Sequence, residues 1–214
     1  MIGEFIAVVV VAYLLGSIPF GLIIGKIRSG VDVREYGSGK TGATNVMRTA
    51  GTKLGVLTLV LDVAKATVAV ILATVIIGSG SGILTVGGVS IHWQHLAQVV
   101  AGLATVAGHN WPVFAKFKGG RGVTAYFGTL FAIYPPAGIF GAQVVAIAAL
   151  RSRHMSLGSI LGAFAALCLM IPLAVVYNFP PIYLAYGSVG VALLIYQHSD
   201  NIKRLRQGTE RRLW

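Results

Sequence analysis

The sequence predicts an all-α integral membrane protein, and its composition and charge distribution support that fold class. Hydrophobic residues make up 56% of the 214 residues and charged residues only 11%, whereas a soluble domain carries about 25% charged residues. The 17 Lys and Arg residues outnumber the 6 Asp and Glu residues, and they lie in short groups separated by the stretches 66–115, 122–150 and 154–202. Such long stretches without Lys or Arg are typical of membrane-spanning helices.

We predict seven transmembrane helical segments within a single membrane domain, residues 1–214. They cover about residues 5–27, 54–77, 91–113, 122–134, 137–150, 157–177 and 182–198. Short basic loops stay on the cytoplasmic side during insertion. Placing every basic group inside puts the N-terminus outside, the C-terminus in the cytoplasm, and the loops 78–90 and 178–181 outside.

The fourth and fifth segments are unusually short. Pro135 and Pro136 divide residues 122–150 into two arms of 13 and 14 residues. At a rise of 1.5 Å per residue each arm reaches about 20 Å, which is less than the ~30 Å thickness of the hydrocarbon core. The arms are therefore either two short crossings or a re-entrant hairpin, and both options return the chain to the cytoplasm.

The first cytoplasmic loop, residues 28–53, contains glycines followed by an amphipathic segment. Read as a helix, residues 41–52 have an apolar face and a polar face, and such a helix can lie in the membrane interface. The apolar face comprises Ala43, Val46, Met47 and Ala50. The polar face comprises Thr41, Thr44, Asn45 and Arg48. The preceding Gly37, Ser38 and Gly39 allow backbone N–H groups to turn toward an anion at the helix N-terminus.

Two other interpretations of this loop exist. One is an ordinary interfacial loop without a ligand. The other is a nucleotide-binding P-loop, which requires a glycine five residues before Gly39. Arg34 stands at that position, so a P-loop is excluded.

Two further cytoplasmic loops also place polar residues before a helix. Lys118, Gly119, Gly120 and Arg121 precede the span that begins at residue 122, and glycines with cations at a helix start are typical of phosphate binding. A loop that contacts lipid headgroups is the alternative. In the third loop, Ser156 is placed to cap the next helix, and its hydroxyl could also reach the same anion.

Polar residues also occur at the end of the last span and inside the second. His198 and Asn201 share one helix face, although a histidine at a helix end often only complements the helix dipole. Asp62 and Lys65 lie three residues apart inside the second span. Because ionisable residues at that depth are costly alone, they either pair with each other or line the floor of a site.

The sequence does not contain the catalytic sets of common acyltransferases or metalloenzymes. The residues five positions after His109, His154 and His198 are Phe, Ser and Lys, so no His-x-x-x-x-Asp pair is present. Cys168 is the single cysteine, which excludes an internal disulfide, and no carboxylate cluster indicates a metal. We therefore expect no metal and no cofactor, and the pattern favours positioning and electrostatic stabilisation of phosphorylated groups.

The basic tail also needs an explanation, because the net charge is +11. A nucleic-acid partner is not expected, since the basic residues flank membrane spans and lack an interleaved aromatic stripe. We expect the tail cations mainly to set the topology and contact anionic lipid. They are Lys203, Arg204, Arg206, Arg211 and Arg212.

These loops together resemble the signature segments of one family. Residues 37–48, 108–123 and 153–157, followed by His198 and Asn201, are similar in content and order to the membrane glycerol-3-phosphate acyltransferases that use acyl phosphate, the PlsY family. The first two segments are specific and the third is shorter. This chain has Lys40 where the family usually has Asn, and Arg121 where it usually has Lys.

The resemblance implies a reaction and a location. Acyl phosphate and glycerol 3-phosphate would give 1-acylglycerol 3-phosphate and phosphate, the first step of phospholipid synthesis, without a cofactor. The enzyme would be a monomer in the bacterial cytoplasmic (inner) membrane, in contact with lipid, with its active site facing the cytoplasm.

The resemblance also implies roles for individual residues. Ser38, Lys118 and His198 would be catalytic, with Lys118, Ser38 and the glycine amides on the acyl phosphate. The substrate-binding set would comprise Gly37, Gly39, Asn45, Arg48, Gly119, Gly120, Arg121, Ser156 and Asn201. Arg48, His198 and Asn201 would orient glycerol 3-phosphate, and either His198 or the substrate's own phosphate would take the proton.

A membrane transporter of anions or phosphate esters is the alternative function. It would share the seven segments and the basic loops. A transporter would also need polar residues that continue through the membrane, and apart from Asp62 and Lys65 the spans contain almost none.

Overall fold

Ten α-helices and one β-hairpin account for most of residues 1–78, 82–86, 88–177 and 179–213, the parts of the chain that the computed structural model describes. The helices are α1 (Ile2–Gly16), α2 (Phe20–Ser29), α3 (Ala43–Ala50), α4 (Thr52–Ile77), α5 (Trp93–Asn110), α6 (Val123–Ile133), α7 (Pro135–Ser152), α8 (Met155–Val176), α9 (Ile182–Gln197) and α10 (Ser199–Arg206). The hairpin consists of β1 (Ile83–Val86) and β2 (Val89–His92).

Three helical stretches are long and apolar enough to cross a membrane within the described ranges. They are Ile2–Ser29, Thr52–Ile77 and Met155–Val176, with mean hydropathies of 2.4, 2.2 and 2.5. Val123–Ile133 and Ile182–Gln197 are shorter apolar helices. The protein is therefore mostly helical with membrane-type spans, while the number of seven spans and their sidedness stay predictions.

The first predicted span, residues 5–27, consists of two helices. Pro19 lies between α1 and α2, where its ring disfavours helical geometry in the preceding residue and its nitrogen cannot donate a hydrogen bond. The Lys65 ammonium of α4 donates to the carbonyl of Ile18 at 2.7 Å. The same carbonyl also accepts the N–H of Phe20 at 3.1 Å, so the buried lysine adds a second hydrogen bond at the break.

The all-α prediction is wrong for the segment between α4 and α5. The two strands pair antiparallel, with Ile83 opposite His92 and Thr85 opposite Ser90. The hairpin covers most of the region predicted as an outside loop, 78–90, and the first two residues of the predicted span 91–113. Ile, Val and Thr recur in this segment, and β-branched residues favour strands. Residues 79–81 and 87 of the predicted loop, and residue 178 of the second outside turn, lie outside the described ranges.

The division of residues 122–150 also differs from the prediction. The chain bends at Tyr134, and Pro135 and Pro136 form the first turn of α7, where a missing N–H group costs nothing. With 18 residues, α7 extends about 27 Å, so this arm is nearly as long as the hydrocarbon core is thick. With 11 residues, α6 extends only about 16 Å.

Close helix packing brings the basic loops to one end of the molecule. Tyr186 of α9 donates to the carbonyl of Tyr126 in α6 at 2.9 Å, and both side chains are fully buried. A Cβ atom at Gly158 would lie 2.7 Å from the carbonyl of Val145, so the glycine allows α8 to approach α7. The N-termini of α3, α6 and α8 consequently surround one cavity together with the α9–α10 junction.

Candidate active site

A cavity of about 410 Å³ joins residues from nearly every basic loop that the sequence singles out. Its polar lining comprises Ser38, Lys40, Thr44, Asn45, Arg48, His109, Arg121, Thr124, Ser156, Ser159, His198, Asn201, Arg204, Glu210 and Arg211. Five cations thus face one carboxylate among the described lining residues. Such an excess of positive charge favours anionic ligands.

The other half of the cavity is an apolar groove between α4, α6 and α7. Its lining comprises Leu59, Val63, Val123, Phe127, Phe131, Ala142, Val145 and Ala146. The groove is continuous with the polar region, so a molecule with a charged head and an aliphatic tail can occupy both.

Seven of the predicted site residues line this cavity and five do not. Those that do are Ser38, Asn45, Arg48, Arg121, Ser156, His198 and Asn201. Those outside its described lining are Gly37, Gly39, Lys118, Gly119 and Gly120. Lys118 is exposed to solvent, and the four glycines have structural roles that follow from their contacts.

Asn45 holds the first loop together from inside α3. Its side-chain N–H groups donate to the carbonyls of Val33 at 2.6 Å, Lys40 at 2.9 Å and Tyr36 at 3.2 Å. Its Oδ1 accepts the backbone N–H of Ser38 at 2.8 Å. The amide is fully used by the loop, so its geometry is that of a positioning residue.

The glycines of the first loop serve this arrangement. Gly37 has a φ of +59°, and a Cβ there would overlap Asn45 Oδ1. The N–H of Gly39 donates to Tyr36 at 3.0 Å. The N–H groups of Ser38 and Gly39, two of the three donors in the anion cradle predicted at residues 37–39, are already bonded within the loop. The first turn of α3 from Ala43 lines the cavity instead.

The apolar face of α3 packs against protein, which corrects the prediction of an interfacial helix with that face in lipid. Val46 is fully buried and forms a cluster with Leu22, Val33 and Ala115. This packing turns Thr44 and Arg48 toward the cavity. The amphipathic pattern therefore predicted the helix correctly, but its apolar face packs against protein and not against lipid.

The second loop packs tightly against the end of α5. The N–H of Gly120 donates to the carbonyl of His109 at 3.0 Å, and a Cβ at Gly120 would overlap the imidazole Nε2 of His109. A Cβ at Gly119 would overlap the His109 carbonyl. The two glycines are thus required for close packing, and they direct Arg121 to the cavity at the start of α6.

Ser156 does not cap α8, because the N-cap is His154 and Ser156 lies inside the first turn. Its hydroxyl instead donates to Glu210 Oε1 at 2.9 Å. The same oxygen accepts Asn201 Nδ2 at 2.6 Å, and Glu210 Oε2 accepts Arg204 Nε at 2.7 Å. One carboxylate, only 6% exposed, therefore joins α8, α10 and the C-terminal tail.

The tail, residues 207–213, folds back onto the cavity. Arg48 Nη2 donates to the carbonyl of Arg212 at 3.2 Å, and the N–H of Leu213 donates to the carbonyl of Arg153 at 2.8 Å. Arg204 and Arg211 line the cavity. Glu210 and Arg48 tie this region to the site. The expectation of a mainly topological and lipid role did not include this position at the cavity, and that role stays a prediction.

His198 lies at the junction of α9 and α10 and is 2% exposed. Its Nδ1 lies 2.8 Å from the carbonyl of Leu194. A carbonyl can only accept, so Nδ1 carries a proton. Nε2 is therefore the ring nitrogen left for a ligand in the cavity.

Asp62 and Lys65 form the buried pair that their spacing allows. The ammonium nitrogen lies 2.8 Å from Asp62 Oδ1, and His109 Nδ1 lies 3.8 Å from the same oxygen. The pair borders a small void beside Ile18 and is absent from the described lining of the large cavity, whereas His109 borders both. Asp62 and Lys65 thus support His109 and the helix break from behind the site.

Burial and neighbouring charges shift the pKa values of the cavity groups. Burial lowers the pKa of Lys40, and the charge of Arg121 lowers it further. Burial also lowers the pKa of Arg48 and Arg121. Burial alone would raise the pKa of Glu210, but hydrogen bonds from Asn201, Arg204 and Ser156 outweigh it and hold the pKa below its usual value.

Two buried polar atoms at the cavity have no hydrogen-bond partner in the part of the chain that the structure describes. They are Arg121 Nε and Asn201 Oδ1. Buried polar atoms normally find partners, so a donor and an acceptor remain for a ligand.

Eight polar residues of the described lining were not among the predicted site residues: Lys40, Thr44, His109, Thr124, Ser159, Arg204, Glu210 and Arg211. Glu210 and Arg211 belong to the tail, Arg204 lies on α10, and His109 stands at the end of α5. Glu210 could have been noticed as a lone acid in a basic tail. The signal for His109 was its place directly before the second glycine loop.

The fold and the cavity together define a class: a helical membrane protein in which a cationic site opens into an apolar groove. Residues 6–208 match the family described as "Glycerol-3-phosphate acyltransferase". The chain is 49% identical to glycerol-3-phosphate acyltransferase 3 of Dehalococcoides mccartyi, over 100% of this chain and 97% of the relative. It is 38% identical to the glycerol-3-phosphate acyltransferase of Rhodopseudomonas palustris BisB5, over 100% and 98%.

Solved structures agree with the sequence relatives. A crystal structure of PlsY, an integral membrane glycerol 3-phosphate acyltransferase, in its glycerol 3-phosphate form has a TM-score of 0.82 and 38% identity, covering 97% of this chain and 94% of that one. The lysophosphatidic acid form has a TM-score of 0.80, with the same identity and coverage. The chain therefore belongs to the glycerol-3-phosphate acyltransferase family, as the sequence resemblance indicated, and it is a bacterial integral membrane enzyme rather than a transporter.

Proposed function

We propose that this glycerol-3-phosphate acyltransferase takes its acyl group from acyl phosphate and transfers it to the C1 hydroxyl of glycerol 3-phosphate. A bond forms between the C1 oxygen and the acyl carbonyl carbon, and the bond from that carbon to the phosphate oxygen breaks. The products are 1-acylglycerol 3-phosphate and inorganic phosphate. The hydroxyl proton leaves with the phosphate group.

One observation carries the proposal: a single cavity combines five cations with an apolar groove. Both substrates bear a phosphate, and the donor also bears an aliphatic chain. A chain in the groove between α4 and α7 would bring its carbonyl to the mouth of the groove, near Arg121 and Thr124. Holding both reactants in one site removes much of the entropic barrier to a bimolecular reaction.

Glycerol 3-phosphate is proposed to bind on the α8–α10 side. Arg48 and Arg204 would contact its phosphate, since both guanidinium groups border the cavity. The free Oδ1 of Asn201 would accept a hydroxyl of the glycerol. Ser156 is oriented by Glu210, so its hydroxyl oxygen remains an acceptor for a second hydroxyl.

The donor phosphate is proposed to lie nearer the first and second loops. The Ser38 hydroxyl, the first-turn N–H groups of α3 and Arg121 border this part of the cavity. As the carbonyl oxygen gains negative charge in the transition state, such fixed donors stabilise it. Lys118, exposed next to Gly119, would contribute by attracting the anionic donor toward the loop.

We infer that the substrate's phosphate takes the proton and that His198 orients the attacking hydroxyl. Nδ1 of His198 is engaged by the backbone carbonyl of Leu194 at 2.8 Å, so it is a carbonyl and not a carboxylate that orients the ring. Nε2 can still hold the C1 hydroxyl in place. The phosphate leaving group carries basic oxygens that can take the proton, so His198 would only have to position the hydroxyl.

The proposal includes sidedness and assembly. The cavity lies among the basic loops, which the positive-inside rule assigns to the cytoplasm, so the active site would face the cytoplasm of the inner membrane. We also propose a monomeric enzyme surrounded by lipid.

The donor is tested by competition between activated acyl groups. Purified protein in lipid nanodiscs is mixed with glycerol 3-phosphate and, in separate reactions, acyl phosphate, acyl-CoA or acyl carrier protein of equal chain length. We expect 1-acylglycerol 3-phosphate only with acyl phosphate, and a lower kcat/KM for Lys118→Ala. Product formation at similar rates from acyl-CoA would contradict the donor assignment while leaving the acceptor intact.

A further inference from the structure

Lys40 is a cavity residue whose backbone is fixed and whose ammonium forms no ion pair within the described ranges. The Asp200 carboxylate favours its charged form but lies beyond ion-pair distance. Its carbonyl accepts Asn45 Nδ2 at 2.9 Å, and the N–H of the next residue, Thr41, donates to the carbonyl of Gly119 at 3.4 Å. The two hydrogen bonds hold this point of the first loop against α3 and the second loop. Its half-buried side chain borders the cavity.

Two of the other four cavity cations, Arg48 and Arg204, have partners of a kind that Lys40 does not have. Arg204 pairs with Glu210 at 2.7 Å, and Arg48 donates to the carbonyl of Arg212. The ammonium of Lys40 forms neither an ion pair nor a hydrogen bond with any residue in the described ranges 1–78, 82–86, 88–177 and 179–213. A partly buried cation beside Arg121 is unfavourable alone, and an anion placed between the two would relieve that cost.

The charge of the cavity points to two bound phosphates. Lys40, Arg48, Arg121, Arg204 and Arg211 are opposed by one described carboxylate, Glu210, which leaves four positive charges in excess. A phosphate monoester carries roughly −1.5 to −2 charges at pH 7, so two substrates bring three to four negative charges. Without Lys40 the surplus would fall to three, which matches the lower of these two values but not the charge of two dianions.

We propose that Lys40 is a further substrate-binding residue, which contacts the phosphate of the acyl donor and helps to select a phosphate-activated acyl group. The inference rests on the proposed reaction. Lys40 and Arg121 are neighbouring charges, and Arg121 immediately precedes α6, whose Val123 and Phe127 line the apolar groove. In acyl phosphate the phosphate is one carbonyl away from the chain, so it must lie at this mouth of the groove.

Three variants test the proposal. Lys40→Met keeps an aliphatic side chain of similar length and removes the charge, whereas Lys40→Arg keeps the charge. Lys53→Met is the matched control, because Lys53 is exposed at the start of α4 and lies outside the described cavity lining. Each protein is placed in nanodiscs, and initial rates are measured with one substrate varied while the other is saturating.

We expect Lys40→Met to raise the KM for acyl phosphate about tenfold, the value of one charge-assisted contact, and to leave the KM for glycerol 3-phosphate within twofold. Lys40→Arg should recover most of the donor affinity, and Lys53→Met should equal the unaltered enzyme. The Ki of inorganic phosphate against acyl phosphate should rise in parallel with the donor KM.

Other outcomes would overturn the inference. An unchanged donor KM in Lys40→Met, or a rise in the KM for glycerol 3-phosphate alone, would do so. If Lys40→Met does not fold, failure of Lys40→Arg to bind phosphate better than Lys40→Gln would be equally decisive. Absence of activity in the unaltered enzyme would instead refute the proposed reaction itself.

Discussion

Removing the Glu210 carboxylate should release the C-terminal tail from the active site. The carboxylate accepts hydrogen bonds from Ser156, Asn201 and Arg204 at 2.9, 2.6 and 2.7 Å, and its side chain is 6% exposed. Truncating one partner of a buried charged pair costs about 3–5 kcal/mol. We take the lower value, about 3 kcal/mol, because Arg204 is partly exposed to solvent.

The assay is native-state hydrogen exchange of the tail amides in nanodiscs. A loss of about 3 kcal/mol multiplies the population of the open tail roughly 150-fold. The Leu213 amide, bonded to the Arg153 carbonyl at 2.8 Å, should lose protection by about that factor in Glu210→Ala. Glu210→Gln keeps an acceptor for Ser156 and Asn201 but loses the charge opposite Arg204, so we expect a loss of about tenfold to 100-fold.

Two further measurements separate the tail from general instability. Glu35→Gln, at an exposed carboxylate in the first loop, should leave the tail amides protected. The KM for glycerol 3-phosphate should rise in Glu210→Ala, because Ser156, Asn201 and Arg204 lose their common anchor. Unchanged protection of Leu213 in Glu210→Ala would refute this account of the tail.

Four other predictions follow from the same contacts. The pKa of Glu210 is lowered in the folded protein. The ionised carboxylate therefore stabilises the folded tail fully above the unfolded pKa of about 4.3, and this stabilisation is lost as the pH falls through the lower pKa of the folded state. Tail protection should decline on acidification in the unaltered enzyme and much less in Glu210→Gln. His198→Gln should keep kcat within about tenfold, whereas a true general base contributes about 100-fold to 10,000-fold, so a larger loss measured by steady-state kinetics would make His198 the base. Gly120→Ala, whose Cβ would overlap His109 Nε2, should lower both activity and melting temperature, while Gly3→Ala, with open space around it, should change neither. In a Cys168→Ser background, Tyr134→Cys should react with a membrane-impermeant thiol reagent added from outside, and protection from that reagent would favour the re-entrant hairpin.

Much of the site could be predicted from the sequence because its polar residues stand next to glycines and helix starts. Arg48, Arg121, Ser156, His198 and Asn201 belong to four separate segments, yet all line one cavity. The basic charge shared by these loops was enough to predict that they lie at one end of the protein. The local pattern of polar residues beside glycines and helix starts thus predicted where the candidate site lies.

The roles of the glycines could not be predicted, because they depend on contacts between distant segments. Gly119 and Gly120 look like an anion cradle in the sequence, but they are required by the close approach of His109. Asn45 looked like a ligand on a polar helix face, but it is bonded to four groups of its own loop. Only tertiary structure decides whether a backbone N–H faces a ligand or another residue.

The tail and the hairpin were missed for a different reason. A run of five basic residues after the last span predicts membrane sidedness, and that interpretation hid Glu210, Arg204 and Arg211. The β1–β2 hairpin has two four-residue strands, which are too short to stand out against a hydrophobic background. In the tail the basic charge, and around the hairpin the high hydrophobicity, concealed a local feature of the sequence.

The central claim is acyl transfer from acyl phosphate to glycerol 3-phosphate in the cationic cavity, and one measurement tests it most directly. Purified enzyme in nanodiscs receives both substrates, and inorganic phosphate and 1-acylglycerol 3-phosphate are quantified together over time. We expect the two products in equal amounts, with both reduced at least 100-fold by Arg121→Met and Arg48→Met in combination. Phosphate release without acylglycerol phosphate, or equal rates in the doubly substituted enzyme, would contradict the account.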